Sequence, residues 1–216
     1  MMLPSYFTVK KEGFDEIIIQ KSRFIGYVKR VETEEAAQAF IQEIKKKHHD
    51  ATHNCSAYVI GKNDQIQKAN DDGEPSGTAG VPILEVIKKQ NLKNTAVVVT
   101  RYFGGIKLGA GGLIRAYSRT AAQAIKTTGI VKRQRMQGFS VTVEYTLLGK
   151  LENALRNSEH ILEHINYQDK VELIVYVKEG HEESFLKWIT EHSNAQANIK
   201  ETDKKFIEID VESTKE

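Results

Sequence analysis

Alternating and β-branched apolar positions open the chain. The run FDEIIIQ, residues 14–20, and KSRFIGYVKRV, residues 21–31, read as a pair of strands near the N-terminus. The spacing then changes to helical. Ala36, Ala37, Phe40, Ile41 and Ile44 recur on one face, Thr33 is placed to cap the helix, Glu34 and Glu35 favour its positive end, and Lys45, Lys46 and Lys47 its negative end. HNCSAYVI and IQKAN, separated by Gly61-Lys62-Asn63-Asp64, form a predicted hairpin. A polar, turn-rich loop, DDGEPSGTAG, leads into a helix over VPILEVIKKQ, with Pro82 in its first turn. TAVVVTRYF has the continuous apolar character of a strand covered on both faces. The segment from Gly104 to Gly112 reads as a loop opening onto the helix LIRAYSRTAAQAIKTT, which Gly129 closes.

Beyond an apparent linker, IVKRQRMQG, the pattern is strand (FSVTVEYT), helix (LGKLENALRNS), strand (HILEHINY), strand (KVELIVYV), helix (EESFLKWITEH) and strand (KKFIEIDV). The order βαββαβ is that of a ferredoxin-like domain, with two helices on one face of an antiparallel sheet. Trp188 is placed to pack a helix onto that sheet, and the tail Ser213–Glu216 is expected to fray. The expectation is an α+β protein of two domains, 1–135 and 136–216.

Charge sharpens that division. The formal net charge is only +2, yet residues 1–135 hold 22 Lys and Arg against 13 Asp and Glu, a balance of +9, and residues 136–216 hold 9 against 16, a balance of −7. A basic half beside an acidic half suggests that the first approaches polyanions while the second avoids them or contacts a basic partner. Mean hydropathy of −0.45 and the lack of any apolar run near the ~18 residues of a membrane span argue against a membrane partner. The N-terminal residues lack an export signal's apolar core, which points to a cytoplasmic protein. The lone cysteine, Cys55, cannot form an internal disulfide or a cysteine zinc cluster.

Candidate chemistry concentrates in RYFGGIKLGAGGLIRAYSR. Five of the 15 glycines, Gly104, Gly105, Gly109, Gly111 and Gly112, fall in it. Glycine admits positive φ and close backbone approach, and exposed N–H groups at a helix N-terminus attract anions. Lys107 lies within the loop, Arg115 and Arg119 share one helix face, and Arg101 ends the preceding strand. Together they suit phosphates along a nucleic-acid backbone, with Tyr102, Phe103 and Tyr117 available for stacking. The same glycines would also serve a tight strand-to-helix turn with the arginines solvated. Neither GxxxxGK[ST] nor GxGxxG is completed, so no P-loop or Rossmann site is assigned.

The loop Asp71, Asp72, Gly73, Glu74, Pro75, Ser76, Gly77, Thr78, Ala79, Gly80 gathers three carboxylates and two hydroxyls. It lacks the ligand spacing of an EF-hand, and Ser76 or Thr78 is expected to cap the following helix. Ser76 is not in a GxSxG elbow. His53 and Cys55 would share a strand face as a base and thiol might, but a lone cysteine reads first as a buried small hydrophobe. No catalytic residue, metal or cofactor is assigned.

DDGEPSGTAGVPIL together with VVVTRYFGGIKLGAGGLIRAY closely resembles the paired motifs of the IMPACT/YigZ family. The resemblance covers nearly the whole chain, including a smaller C-terminal domain like that of bacterial members. It implies a first domain like the second domain of ribosomal protein S5, and a ferredoxin-like second domain like the last domain of elongation factor G. Eukaryotic relatives modulate translation by binding the activator of a starvation-responsive kinase through an additional N-terminal domain, which this chain lacks. The expectation is a non-enzymatic protein that binds RNA or ribosomes and regulates translation. Two alternatives stand beside it: an enzyme whose glycine-rich loop takes a phosphorylated or peptide substrate, and an interaction module whose acidic domain docks a basic protein.

Overall fold

The computed structural model describes residues 4–211, so the predicted frayed tail lies outside the described residues. The chain divides into two units, one built on Tyr6–Lys132 and the other on Arg133–Glu208. The fold is a mixed α/β one, with two five-stranded sheets and five helices among the described residues.

In the first unit β2 (Gly13–Ile19), β3 (Ser22–Arg30), β4 (His53–Ile60), β5 (Ile66–Asn70) and β6 (Thr95–Tyr102) form an antiparallel sheet in the order β2-β3-β6-β4-β5. β6 is central, which is why its valine run is apolar on both faces. Alternation sends Ala96 and Val98 to one side, against Phe40, Ile41 and Ile44 of α1 (Glu34–Lys47). Val97 and Val99 go to the other, against Ile83 and Ile87 of α2 (Gly80–Lys89) and Leu113, Tyr117 and Ala121 of α3 (Gly109–Thr128). Thr33 caps α1 as predicted, its hydroxyl accepting from Ala36 N at 3.2 Å.

The second unit holds most of β7 (Ile130–Val143), then α4 (Tyr145–Arg156), β8 (Ile161–Tyr167), β9 (Val171–Lys178), α5 (Glu182–His192) and most of β10 (Asn198–Asp210). The strand order is β1-β7-β9-β8, with β10 also paired to β7 and β1 being Ser5–Val9. Phe139, Val141, Leu151, Leu155, Leu173, Val175, Phe185 and Ile189 make its core, and Trp188 packs against it.

Three expectations are corrected. The apparent linker IVKRQRMQG is strand: β7 starts at Ile130, because pairing on both edges satisfies its backbone while its basic side chains lie outside the core. β1 was not expected, since five residues give too short an alternation to read. α3 starts at Gly109, so Gly109, Gly111 and Gly112 form its first turn instead of a loop.

Candidate functional site

Two loops of the first unit meet. One joins β5 to α2 and carries Asp71–Ala79; the other joins β6 to α3 and carries Phe103–Leu108. Each carboxylate of the first loop is engaged. Asp71 Oδ1 accepts from Ala79 N at 3.0 Å and Gly80 N at 2.8 Å, and its Oδ2 accepts from Gly77 N at 2.8 Å. This carboxylate, and not the hydroxyl of Ser76 or Thr78, holds the start of α2, while Thr78 Oγ1 donates to Pro75 O at 2.6 Å and Ser76 is exposed. Burial pushes the Asp71 pKa up, but the N–H bonds from Gly77, Gly80 and Ala79 outweigh it and the net shift is downward. Asp72 accepts from Asn54 N and pairs with Lys45 Nζ, both at 2.6 Å.

Glu74 turns inward. Its Oε1 accepts from Arg101 Nη1 at 2.6 Å and Tyr117 OH at 2.8 Å, and its Oε2 faces His53 Nε2 at 3.9 Å. The Glu74 and Arg101 side chains are only 3% and 6% exposed. Arg101 is therefore not a surface phosphate contact, as expected from its place at a strand end, but the cation of a buried pair that locks one motif to the other. Its guanidinium lies 5.4 Å from the ring centroids of both Phe24 and Phe103. Removing either charge would leave the other buried and uncompensated, a cost of about 3–5 kcal/mol.

His53 and Cys55 do share a strand, but not a thiol–base pair. His53 Nδ1 donates to Asp72 O at 2.8 Å, and Cys55 Sγ donates to Asp71 O at 3.0 Å. Burial pushes the Cys55 thiol up to about 12, so it stays protonated at neutral pH and is a poor nucleophile. Of the three aromatic residues expected to stack bases, Tyr117 is fully buried, and Tyr102 hydrogen-bonds His48 and Asp50. Phe103 alone of these three is largely exposed, at 46%.

Two cavities flank the start of α3. One of about 400 Å³ lies where the motifs converge, lined by His53, Glu74, Arg101, Phe103, Lys107 and Gly109 among others. The other, about 960 Å³, lies beside α2 and α3 and is lined by Val86, Leu108, Ile114, Lys89, Arg115 and Arg119 among others. Lys107, Arg115 and Arg119 are exposed and have no ion pair among the described residues. The backbone explains some of the glycines. A Cβ at Gly104 would lie 2.0 Å from the Lys21 carbonyl carbon, and Gly109 holds φ +68. Gly105 has φ +85, and Gly112 would press its Cβ to 3.0 Å from Leu108 Cβ. Gly73 and Gly77 also take positive φ, at +89 and +76.

Sequence reasoning missed Lys89, whose contribution depends on how α2 lies beside α3. It also missed the Glu74–Arg101 pair, for which a signal existed: an arginine inside the apolar run VVVTRYF needs a buried acid, and the first motif supplies three candidates.

Both motifs fall inside one family match. The Impact N-terminal domain model matches residues 20–125, and a domain of unknown function, DUF1949, matches residues 141–196. "IMPACT family member YvyE" of Bacillus subtilis is 57% identical over 215 residues, covering 100% of this chain and 99% of that one. The chain belongs to the IMPACT family. A Haemophilus influenzae IMPACT family member is 35% identical over 199 residues, 91% of this chain and 97% of its own. The mouse "Protein IMPACT" matches over 95 residues at 37% identity, 42% of this chain and 29% of its own. A solved structure titled "Crystal structure of an hypothetical protein" superposes with a TM-score of 0.60 at 30% identity, covering 92% of this chain and 97% of that one. Among the described residues no helix is long and apolar enough to cross a membrane.

Proposed function

We propose that this IMPACT family protein is a non-enzymatic, cytoplasmic RNA- or ribosome-binding protein that takes part in regulating translation. The observation that carries the reading is the run of exposed cations Lys107, Arg115 and Arg119 along the start and face of α3, without carboxylate partners among the described residues. Lys89 extends it across the α2–α3 groove. Such a surface contacts phosphates with little regard to base identity. The finer fold assignment belongs to the same proposal. The order βαββαβ, with β7 flanked by β10 and β9, supports a ferredoxin-like second domain, and the antiparallel sheet with helices on both faces supports an S5 domain 2-like first domain.

The test is binding of a labelled single-stranded RNA across a salt series. The double variant Arg115→Glu, Arg119→Glu is expected to lose at least tenfold in affinity. Its dependence of log K on log salt should flatten by about 1.4, the value for two lost phosphate contacts on a single strand. A folded double variant with unchanged affinity and slope overturns the reading.

A further inference from the structure

We propose that the cavity where the two motifs converge is a pocket for a terminal nucleoside phosphate, either at an RNA end or on a free mononucleotide. It is separate from the Arg115 and Arg119 surface, and it rests on the RNA reading only for the polymer form of the ligand.

Three independent features converge on it. First, α3 is 20 residues long, and its N-terminus has no side-chain cap and no acidic residue in its first turn. Its leading N–H groups therefore carry the usual partial positive charge of a helix start. A Cβ built on Gly109 meets nothing within 4 Å, so there is open space at that turn. Second, Arg101 lines the cavity with its side chain 6% exposed, and its Nε has no hydrogen-bond partner among the described residues. A buried guanidinium with a spare donor is an unmet demand for an acceptor. Third, Lys107 and the exposed Phe103 ring line the same cavity, a mobile point charge beside an aromatic face.

The charge balance favours an anion. Glu74 is the carboxylate on the wall, and Arg101 and Tyr117 take its Oε1. Arg101, Lys107 and the helix start, at roughly +0.5, leave a net of about +1.5. The donors left over also choose between anions. Glu74 takes Arg101 Nη1 and Ser22 Oγ lies 3.5 Å from Nη2, so the donor left over is the single Nε N–H and not the parallel pair that recognises a carboxylate. Single N–H groups and an ammonium suit the several oxygens of a phosphomonoester. The volume of about 400 Å³ falls within the range of small-molecule sites, and Phe103 gives the attached base a stacking face.

The experiment compares an RNA oligomer bearing a 5′-phosphate with its 5′-hydroxyl form, and with a hydroxyl-ended oligomer two nucleotides longer as a control for charge. Adenosine 5′-monophosphate is titrated separately by amide NMR. The wild-type chain is expected to prefer the phosphorylated end about tenfold over both hydroxyl forms. Lys107→Ala should reduce that ratio, and Ala110→Asp should abolish it. The latter puts a carboxylate at the helix start, where it supports folding while occupying the anion position. Arg115→Glu with Arg119→Glu should weaken all oligomers and keep the ratio. A wild-type ratio within twofold, or one that Ala110→Asp leaves intact, overturns the pocket and leaves the RNA reading standing. If no oligomer binds, the RNA reading fails. The pocket then stands if the monophosphate shifts the amides of residues 109–113 in wild type but not in Ala110→Asp, and falls if it does not.

Discussion

Asp71 accepts three backbone N–H bonds, and it does so best as an ionised carboxylate. Its pKa in the folded chain lies below the ordinary Asp value, so folding favours the deprotonated form. The sign follows from linkage. Its contribution is complete above the unfolded pKa near 3.9 and is lost as pH falls through the lower folded value. Asp71→Asn keeps the shape and one acceptor but loses the charge and its titration. The variant is expected to be less stable than wild type by about 1–2 kcal/mol at pH 7. In urea denaturation series the gap should close as pH is lowered from about 5 to below 3. A gap independent of pH would mean that the loop is held by something other than this carboxylate.

At the level of elements, α3 shows where the fold and the site diverge. Gly104 and Gly109 have backbone reasons to be glycine, but Gly111 does not. It sits in the first helical turn without positive φ, and an added Cβ would meet only Arg115 Nη1, at 3.7 Å. Gly111→Ala is therefore expected to stabilise the chain by about 0.5–1 kcal/mol, read as a higher urea midpoint with an unchanged slope. A loss of stability would mean that this turn is packed more tightly than its geometry implies. The same helix marks how far the residues could be read without coordinates. Its apolar face, the central valine strand and the Thr33 cap follow from local spacing, and all are present. The helix starts four residues before the expected position, because glycine's low helix propensity hides the largely exposed turn 109–112, and the buried face begins only at Leu113. β7 was hidden in its first half for a related reason: Lys132, Arg133 and Arg135 interrupt the apolar pattern, and only pairing with β1 and β10 makes those residues a strand. At the site, the exposed cations are legible as charge, whereas the burial of Arg101 against Glu74 depends on the end of a strand meeting a loop residue 27 positions before it.

For the whole molecule, the two halves differ in the charge left over after their ion pairs, +9 over residues 1–135 and −7 over residues 136–216. In the acidic half Arg156, Lys170, Lys178, Lys204 and Lys205 all pair with carboxylates of the same unit, namely Glu152, Glu144, Glu159, Glu179 and Glu163. That unit neutralises much of its own positive charge and retains an excess of negative charge, which disfavours contact with a phosphate backbone. RNA affinity should then belong to the first unit and depend little on the packing of the second. Phe139 tests this, because it is fully buried among the second unit's core residues, with its ring 4.9 Å from that of Phe185. Phe139→Ala is expected to cost about 3–5 kcal/mol. Hydrogen exchange should rise in β9 and α5 while α3 and β6 keep their protection, and affinity for single-stranded RNA should stay within twofold of wild type. If protection in α3 falls in parallel, the two cores unfold as one, and the basic surface depends on the acidic unit for its own stability.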